Sequence, residues 1–335
     1  MSLRFHGDAL VAPGMLDFAV NVWPGERPEP LRDALAAALE TTGYPDERAA
    51  LQAVADAWDR DPDEVLLTNG ACEAFWLLAH TVKPAVAACV HPSFTEPEAA
   101  FAAVGAQIAR VQLALPGWQL EPGAVPANAD VVVLGNPNNP TGTLSGRTDV
   151  LGLRRPGRLV VVDESFMDFV PGQAESCAGI AGAGLVVVRS LTKLWGIAGL
   201  RAGYLLGDRE LVARVAAQRQ PWSVNALACT AIETCARDRR TPASVAAAVD
   251  AAREELLAEL EALPGVEAWP SAANFVLVRL PDATAIVAEL RRQGIAVRPC
   301  DDFPGLDESF VRVAVRPPED SRVLVRALAE ALATL

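Results

Sequence analysis

Val186-Val187-Val188-Arg189-Ser190-Leu191-Thr192-Lys193-Leu194-Trp195-Gly196 decides how the chain is read, together with Arg201 in Gly199-Leu200-Arg201-Ala202-Gly203. The apolar β-branched run predicts a buried strand, and the residues after it put a serine, a lysine and an arginine in one loop past its C-terminal end. In α/β proteins ligands collect at that end of a sheet. The sequence holds two lysines, Lys83 and Lys193, among 29 basic residues. A bias toward arginine accounts for most of that scarcity. Yet an amine that must condense with a carbonyl cannot be replaced by a guanidinium, which stays protonated at any working pH. Lys193 is therefore a candidate Schiff-base residue.

Outward from this stretch, short apolar strands alternate with helices. Strands are predicted at 65–68, 85–90, 107–113, 131–135, 159–163, 185–190 and 202–206, and helices at about 31–40, 47–58, 71–80 and 97–104. The alternation predicts an α/β fold with a doubly wound, mostly parallel sheet. The first 30 residues or so read as an arm with one short strand at 16–21. From about Asp208 long alanine-rich helices take over, including 243–263. Strands at 273–278, 295–298 and 310–315, a helix at 284–293 and a last helix from 318 then predict a smaller α+β domain.

Composition bounds the rest. With 335 residues, 51% of them hydrophobic, the chain can bury a large core, and a net charge of -13 disfavours nucleic acid and anionic membrane surfaces as partners. An anionic substrate would need a local arginine cluster. Cys72, Cys89, Cys177, Cys229, Cys235 and Cys300 are scattered without a C-x-x-C pair, as expected of reduced thiols in the cytoplasm. His6, His80 and His91 are far apart and make no metal-ligand pattern, so no metal is expected. No apolar run approaches the ~20 residues of a membrane span.

Three further segments end strands with polar residues. Gly135-Asn136-Pro137-Asn138-Asn139-Pro140-Thr141-Gly142 holds rigid turns that can aim an amide, or serves as a plain turn. Asp163 closes Val160-Val161-Val162-Asp163, where an unpaired carboxylate is costly and a cation is required, whether an arginine or a ligand. Thr68-Asn69-Gly70-Ala71-Cys72 passes from strand to helix, so free backbone N–H groups there can hold a phosphate, or the glycine serves sterics alone. Taken jointly the pieces describe one ligand. A βα turn with Ser190 and Arg201 cradles a phosphate, Asp163 pairs with a ring nitrogen, Asn139 meets a ring oxygen, and Lys193 takes an aldehyde. Those are the demands of pyridoxal 5'-phosphate, whose protonated ring acts as an electron sink.

Asn139-Pro140-Thr141-Gly142, Asp163, Ser190-x-x-Lys193 and Arg201 resemble the fold type I pyridoxal phosphate enzymes of the aspartate aminotransferase superfamily, over nearly the whole chain. Tyr44-Pro45-Asp46 and Phe310-Val311-Arg312-Val313 resemble its histidinol-phosphate aminotransferase branch. His6-Gly7, Pro92-Ser93-Phe94, Pro221-Trp222-Ser223-Val224-Asn225-Ala226 and 303–316 resemble the threonine-phosphate decarboxylases of cobalamin biosynthesis. The resemblance implies an N-terminal arm with part of the small domain at 1–43, a large cofactor-binding domain at 44–225 and a small C-terminal domain at 226–335. It also implies that Phe94 stacks on the pyridine and that Asn139 and Asp163 hold the ring. Gly70, Ala71, Cys72, Ser190 and Arg201 would hold the phosphate, and Tyr44 would reach it from the partner subunit of a homodimer. Arg312 would bind the substrate carboxylate, with Arg4, His6, Asn21, Arg298 and Arg316 as further substrate contacts.

One position departs from the aminotransferase pattern. Many aminotransferases carry a tyrosine three residues after the pyridine aspartate, where this chain has Phe166. The reaction expected from the sequence is therefore decarboxylation of L-threonine O-3-phosphate to (R)-1-aminopropan-2-yl phosphate. The alternatives are transamination of histidinol phosphate or a related phosphorylated amine, and a non-catalytic pyridoxal phosphate- or metabolite-binding module. Trp23, Trp195 and Trp222 are candidates for setting substrate tilt.

Overall fold

The structure, a computed structural model, describes residues 7–334. The chain begins with β1 (Leu16–Asp17), α1 (Glu29–Leu39) and α2 (Arg48–Trp58). It then alternates through β2 (Val65–Asn69), α3 (Gly70–Val82), β3 (Val86–His91), α4 (Glu96–Ala103), β4 (Gln107–Gln112), β5 (Val131–Gly135), α5 (Arg147–Gly152), β6 (Leu159–Asp163), β7 (Leu185–Ser190) and β8 (Ala202–Leu206). β2 to β8 form one seven-stranded sheet in the order β2-β8-β7-β6-β5-β3-β4. Its pairings are parallel except those of β8, which runs antiparallel to both β7 and β2. The connection from β7 to β8 is the lysine loop itself. It carries no crossover helix, and without one the chain returns antiparallel.

The strands read as unbroken apolar runs because both faces of the sheet are covered. Val131, Val133, Val161, Val186 and Val188 pack with Phe75, Leu78 and Phe101, while Val132, Leu134, Val160, Val162 and Val187 belong to the opposite cluster with Val54, Ile232 and Leu256. Each such side chain contributes about 1.5–3 kcal/mol on burial.

The second half holds α6 (Arg209–Ala216), α7 (Ala226–Arg237), α8 (Arg240–Glu261), β9 (Glu267–Ala268), β10 (Phe275–Arg279), α9 (Ala283–Arg292), β11 (Ile295–Ala296), β12 (Arg298–Pro299), β13 (Phe310–Ala314) and α10 (Pro318–Ala333). Asp208 caps α6 and Asn225 caps α7, accepting from the N–H groups of Leu211 and Ala228 at 3.0 and 2.9 Å. An antiparallel sheet of order β12-β13-β10-β9 forms here, and β1 pairs in parallel with β11. The strand predicted at 295–298 is thus two short ones with different partners.

The arm strand expected to run to Asn21 stops at Asp17. Beyond it the chain is held by other means. The Phe18 N–H donates to Ala296 O at 2.7 Å, and Phe18 O accepts from the Ala314 N–H at 2.9 Å. The Arg316 guanidinium donates to the carbonyls of Asp17, Val20 and Val22 at 2.6, 2.6 and 3.1 Å. Among the described residues no helix is long and apolar enough to cross a membrane.

Candidate active site

A cavity of about 480 Å³ lies where β6 and β7 end, closed on one side by Ala19–Val22 of the arm. Lys193 and Asp163 both line it, which meets the first demand of the sequence reading. Four cations, Lys193, Arg201, Arg298 and Arg312, stand against Asp8, Asp163 and Asp302. In a chain of net charge -13 this is the local cationic surplus that an anionic ligand requires.

Asp163 closes β6, and its Oδ1 accepts from the Ser165 N–H at 3.0 Å and the Ser165 hydroxyl at 2.5 Å. Burial raises its pKa, and those bonds and the Lys193 charge only partly offset it. A carboxylate so placed stays ionised best with a cation brought to it. Burial, and after it the Arg312 charge, lowers the pKa of Lys193, which favours the neutral, nucleophilic amine.

The βα turn is built around Arg201. Gly70 takes a φ of +75°, and a Cβ there would lie 2.5 Å from an Arg201 guanidinium nitrogen. Gly70 is therefore the residue that lets Arg201 through, while Ala71 and Cys72 reach the cavity. The Glu73 carboxylate accepts from the Asn69 N–H at 2.6 Å, but the Asn69 side chain caps no N–H group of α3, so the N–H groups of its first turn keep their capacity for an anion. The Ser190 and Thr192 hydroxyls are 2.7 Å apart and both line the site.

Arg312, on β13, is 6% exposed and makes no ion pair among the described residues. It donates to Asn139 Oδ1 at 2.6 Å and Ala19 O at 2.7 Å, and its Nε is buried without a partner. Burial first, then the neighbouring Arg298, pull its pKa down to about 10, so it remains a cation at neutral pH. Asn21, 4% exposed, lines the cavity with both amide atoms unpartnered among the described residues. Phe94 and Phe166 are also in the wall, Phe166 packed edge-on against Phe275 with ring centroids 5.0 Å apart.

Other expected contacts stand differently. Arg298 lines the cavity but is paired with Asp302 at 2.6 Å. Arg316 does not line it, because its guanidinium is spent on the arm's carbonyls; as a substrate contact it is corrected here. Tyr44 is 76% exposed, stacked on Trp222 at 4.4 Å, and does not enter its own chain's cavity. None of Trp23, Trp195 and Trp222 lines it either. Arg4 and His6 lie outside the described residues. The sequence reading missed Thr192, Ser165 and Asp302. The first two lie within two residues of predicted site residues, and Asp302 is four residues from Arg298, so proximity to the motifs was the available signal.

A family profile, Aminotransferase class I and II, matches residues 13–328. The chain belongs to the class I and II aminotransferases. It is 47% identical over 333 residues to a histidinol-phosphate aminotransferase of Mycobacterium tuberculosis, covering 98% of this chain and 90% of that one. It is 32% identical over 332 residues to a threonine-phosphate decarboxylase of Salmonella typhimurium, covering 95% and 91%. Its fold matches that of a histidinol-phosphate aminotransferase of Sinorhizobium meliloti in complex with pyridoxal 5'-phosphate, with a TM-score of 0.88 at 21% identity, covering 98% and 95%.

The chain is thus an enzyme of the pyridoxal phosphate-dependent class I and II aminotransferase family, and not a non-catalytic module. The donor set suits that cofactor. A helix start with two hydroxyls and Arg201 answers a phosphate, Asp163 makes no ion pair among the described residues and can take a ring N–H, and Lys193 offers an amine.

Proposed function

We propose that the protein is an aminotransferase acting on a small phosphorylated amine, with histidinol phosphate the first substrate to test. The observation that carries this is Arg312, a buried guanidinium with no acidic partner among the described residues, in one cavity with Lys193 and Asp163. A 2-oxo acid or amino acid partner substrate brings the carboxylate that such a cation binds by a forked pair of hydrogen bonds. The 47% identical relative moves the weight from decarboxylation, expected from the sequence, to this reading.

In it pyridoxal phosphate supplies an aldehyde and an electron-withdrawing ring. The first-turn N–H groups of α3, with Ser190, Thr192 and Arg201, hold its phosphate. Phe94 covers the ring, and Asp163 keeps a proton on the ring nitrogen. Asn139 is shared between the ring oxygen and Arg312. Lys193, whose burial favours the neutral amine, would move the proton at the substrate Cα as general base and acid. Asn21 offers its unpartnered amide to the substrate. Arg298 binds the substrate phosphate only by yielding its bond to Asp302. The reading includes a cytoplasmic homodimer in which Tyr44 of one protomer reaches the phosphate of its partner's cofactor, and the division at 43 and 225.

A second reading, decarboxylation of L-threonine O-3-phosphate, is favoured by Phe166, which brings no hydroxyl to the ring oxygen, and by the 32% identical relative. The purified holoenzyme separates the two. Transamination predicts turnover of histidinol phosphate that requires added 2-oxoglutarate. Carbon dioxide released from threonine phosphate without any 2-oxo acid, and no turnover of histidinol phosphate, would overturn it in favour of the second.

A further inference from the structure

Behind Asp163 lies a polar chain, buried at His91 and Glu98 and open to solvent at Arg110, that the reaction above does not use. His91 ends β3, and its Nε2 lies 2.7 Å from Glu98 Oε2, while Arg110 of β4 donates to the same carboxylate at 2.6 Å. His91 and Glu98 are both buried. Burial alone would raise the Glu98 pKa, but the bonds from His91 and Arg110 outweigh it and hold the carboxyl at about 2. Glu98 is therefore an anion that accepts at Nε2, which leaves Nδ1 as the ring nitrogen open to a further partner. That Nδ1 is buried without a partner among the described residues.

The sheet sets what Nδ1 faces. Cys89, Val133 and Val161 stand side by side on β3, β5 and β6. Two residues further along, on the same face, come His91, Gly135 and Asp163. Gly135 is the middle residue of the three, and a Cβ there would meet Asn138 Oδ1 at 3.2 Å. A small cavity of about 10 Å³, lined by His91, Gly135 and Asp163 among others, lies at this place, which is room for one water molecule. Both protein donors on Asp163 go to its Oδ1, so the carboxylate keeps acceptor capacity. Nδ1 and the Asp163 carboxylate are two acceptors, and a water molecule is the small donor of two hydrogen bonds that joins them.

We propose that His91 is a positioning residue for Asp163, acting through one water that donates to His91 Nδ1 and to the Asp163 carboxylate, with Glu98 and Arg110 fixing the ring. The bridge stabilises the charged carboxylate and so keeps the proton on the cofactor's ring nitrogen rather than on Asp163. The charged or titratable groups facing His91 are Cys89 on its own strand, Glu98 on α4, Arg110 on β4 and Asp163 on β6. The inference rests on the cofactor and not on which bond of the substrate is broken.

The test uses holoenzyme loaded with pyridoxal phosphate labelled with 15N at the ring, and reads the nitrogen chemical shift from pH 6 to 9. Wild type is expected to show a protonated ring nitrogen throughout. In His91→Phe, with cofactor still bound, the signal should move toward unprotonated pyridine, its midpoint lower by about one pH unit, a tenfold change. His91→Asn, which keeps an acceptor near the place of Nδ1, should recover most of that shift. Identical shifts in wild type and His91→Phe would overturn the proposal. Should His91→Phe not fold, wild type decides: labelled histidine, of which the chain has three, should show His91 protonated on Nε2 with an Nδ1 signal that differs between apoenzyme and holoenzyme. An Nδ1-protonated ring, or no difference, would overturn it.

Discussion

Arg312 and Lys193 are the two cations whose burial does the most at the site. Removing the charge as Arg312→Leu leaves Asn139 Oδ1 and Ala19 O without their donor and a carboxylate substrate without its fork. Charge-assisted hydrogen bonds contribute about 1.5–3 kcal/mol each, so KM for the 2-oxo acid should rise about 100-fold or more while cofactor absorbance is kept. Steady-state kinetics with a varied 2-oxo acid checks this. At the same scale Glu98 gives a pH dependence. Its folded pKa is depressed to about 2 from the usual 4.5, so its contribution is present above the unfolded value and is lost as pH falls from about 4.5 toward 2. The shift corresponds to about 3 kcal/mol. Denaturant unfolding of wild type and Glu98→Gln should therefore differ at pH 6 and converge toward pH 2. A constant difference would show that the bonds to His91 and Arg110 do not hold the carboxylate down.

At the scale of elements, Arg316 is the side chain that makes three bonds to the arm. Arg316 ties the carbonyls of Asp17, Val20 and Val22, while Arg312 and Asn274 hold those of Ala19 and Asn21, and Asn21 lines the cavity. Arg316→Met leaves buried acceptors unsatisfied at about 1–3 kcal/mol each. The variant should lose roughly 3 kcal/mol of stability and some substrate affinity, measurable by urea unfolding and by KM. The sequence carried the strands of the large sheet well, since runs such as Val131–Gly135, Leu159–Asp163, Leu185–Ser190 and Ala202–Leu206 are buried on both faces and stand out as short apolar blocks. It carried the arm poorly. Residues 18–22 are held by Arg316 and by backbone bonds to Ala296 and Ala314, nearly 300 positions away, and no local periodicity reports such contacts. For the same reason Arg316 looked like a free cation, and the room that Gly70 makes for Arg201 left no mark in the local sequence.

At the scale of the whole molecule, Lys193, Asp163, Arg201, Asn139 and Arg312 come from separate strands and loops, yet they share one cavity. Their residue types were legible because each answers a separate demand of one cofactor. Their convergence was not, since Arg312 lies more than a hundred residues beyond Lys193 and reaches it only through the pairing of β13 with β10 and β12. The exposed Tyr44–Trp222 stack belongs to this scale as well. If Tyr44 completes a partner's site, mixing inactive Lys193→Ala with weakened Tyr44→Ala should form hybrid dimers with one intact site. Activity should then return to about a quarter of wild type by random pairing of subunits in a symmetric dimer. No recovery, with hybrids confirmed by mass spectrometry, would place Tyr44 outside the partner's site. The most direct measurement of all is borohydride reduction of the holoenzyme followed by peptide mapping. A pyridoxyl group on Lys193 is the predicted result; a label on Lys83, or none on a protein that has bound the cofactor, would contradict the account.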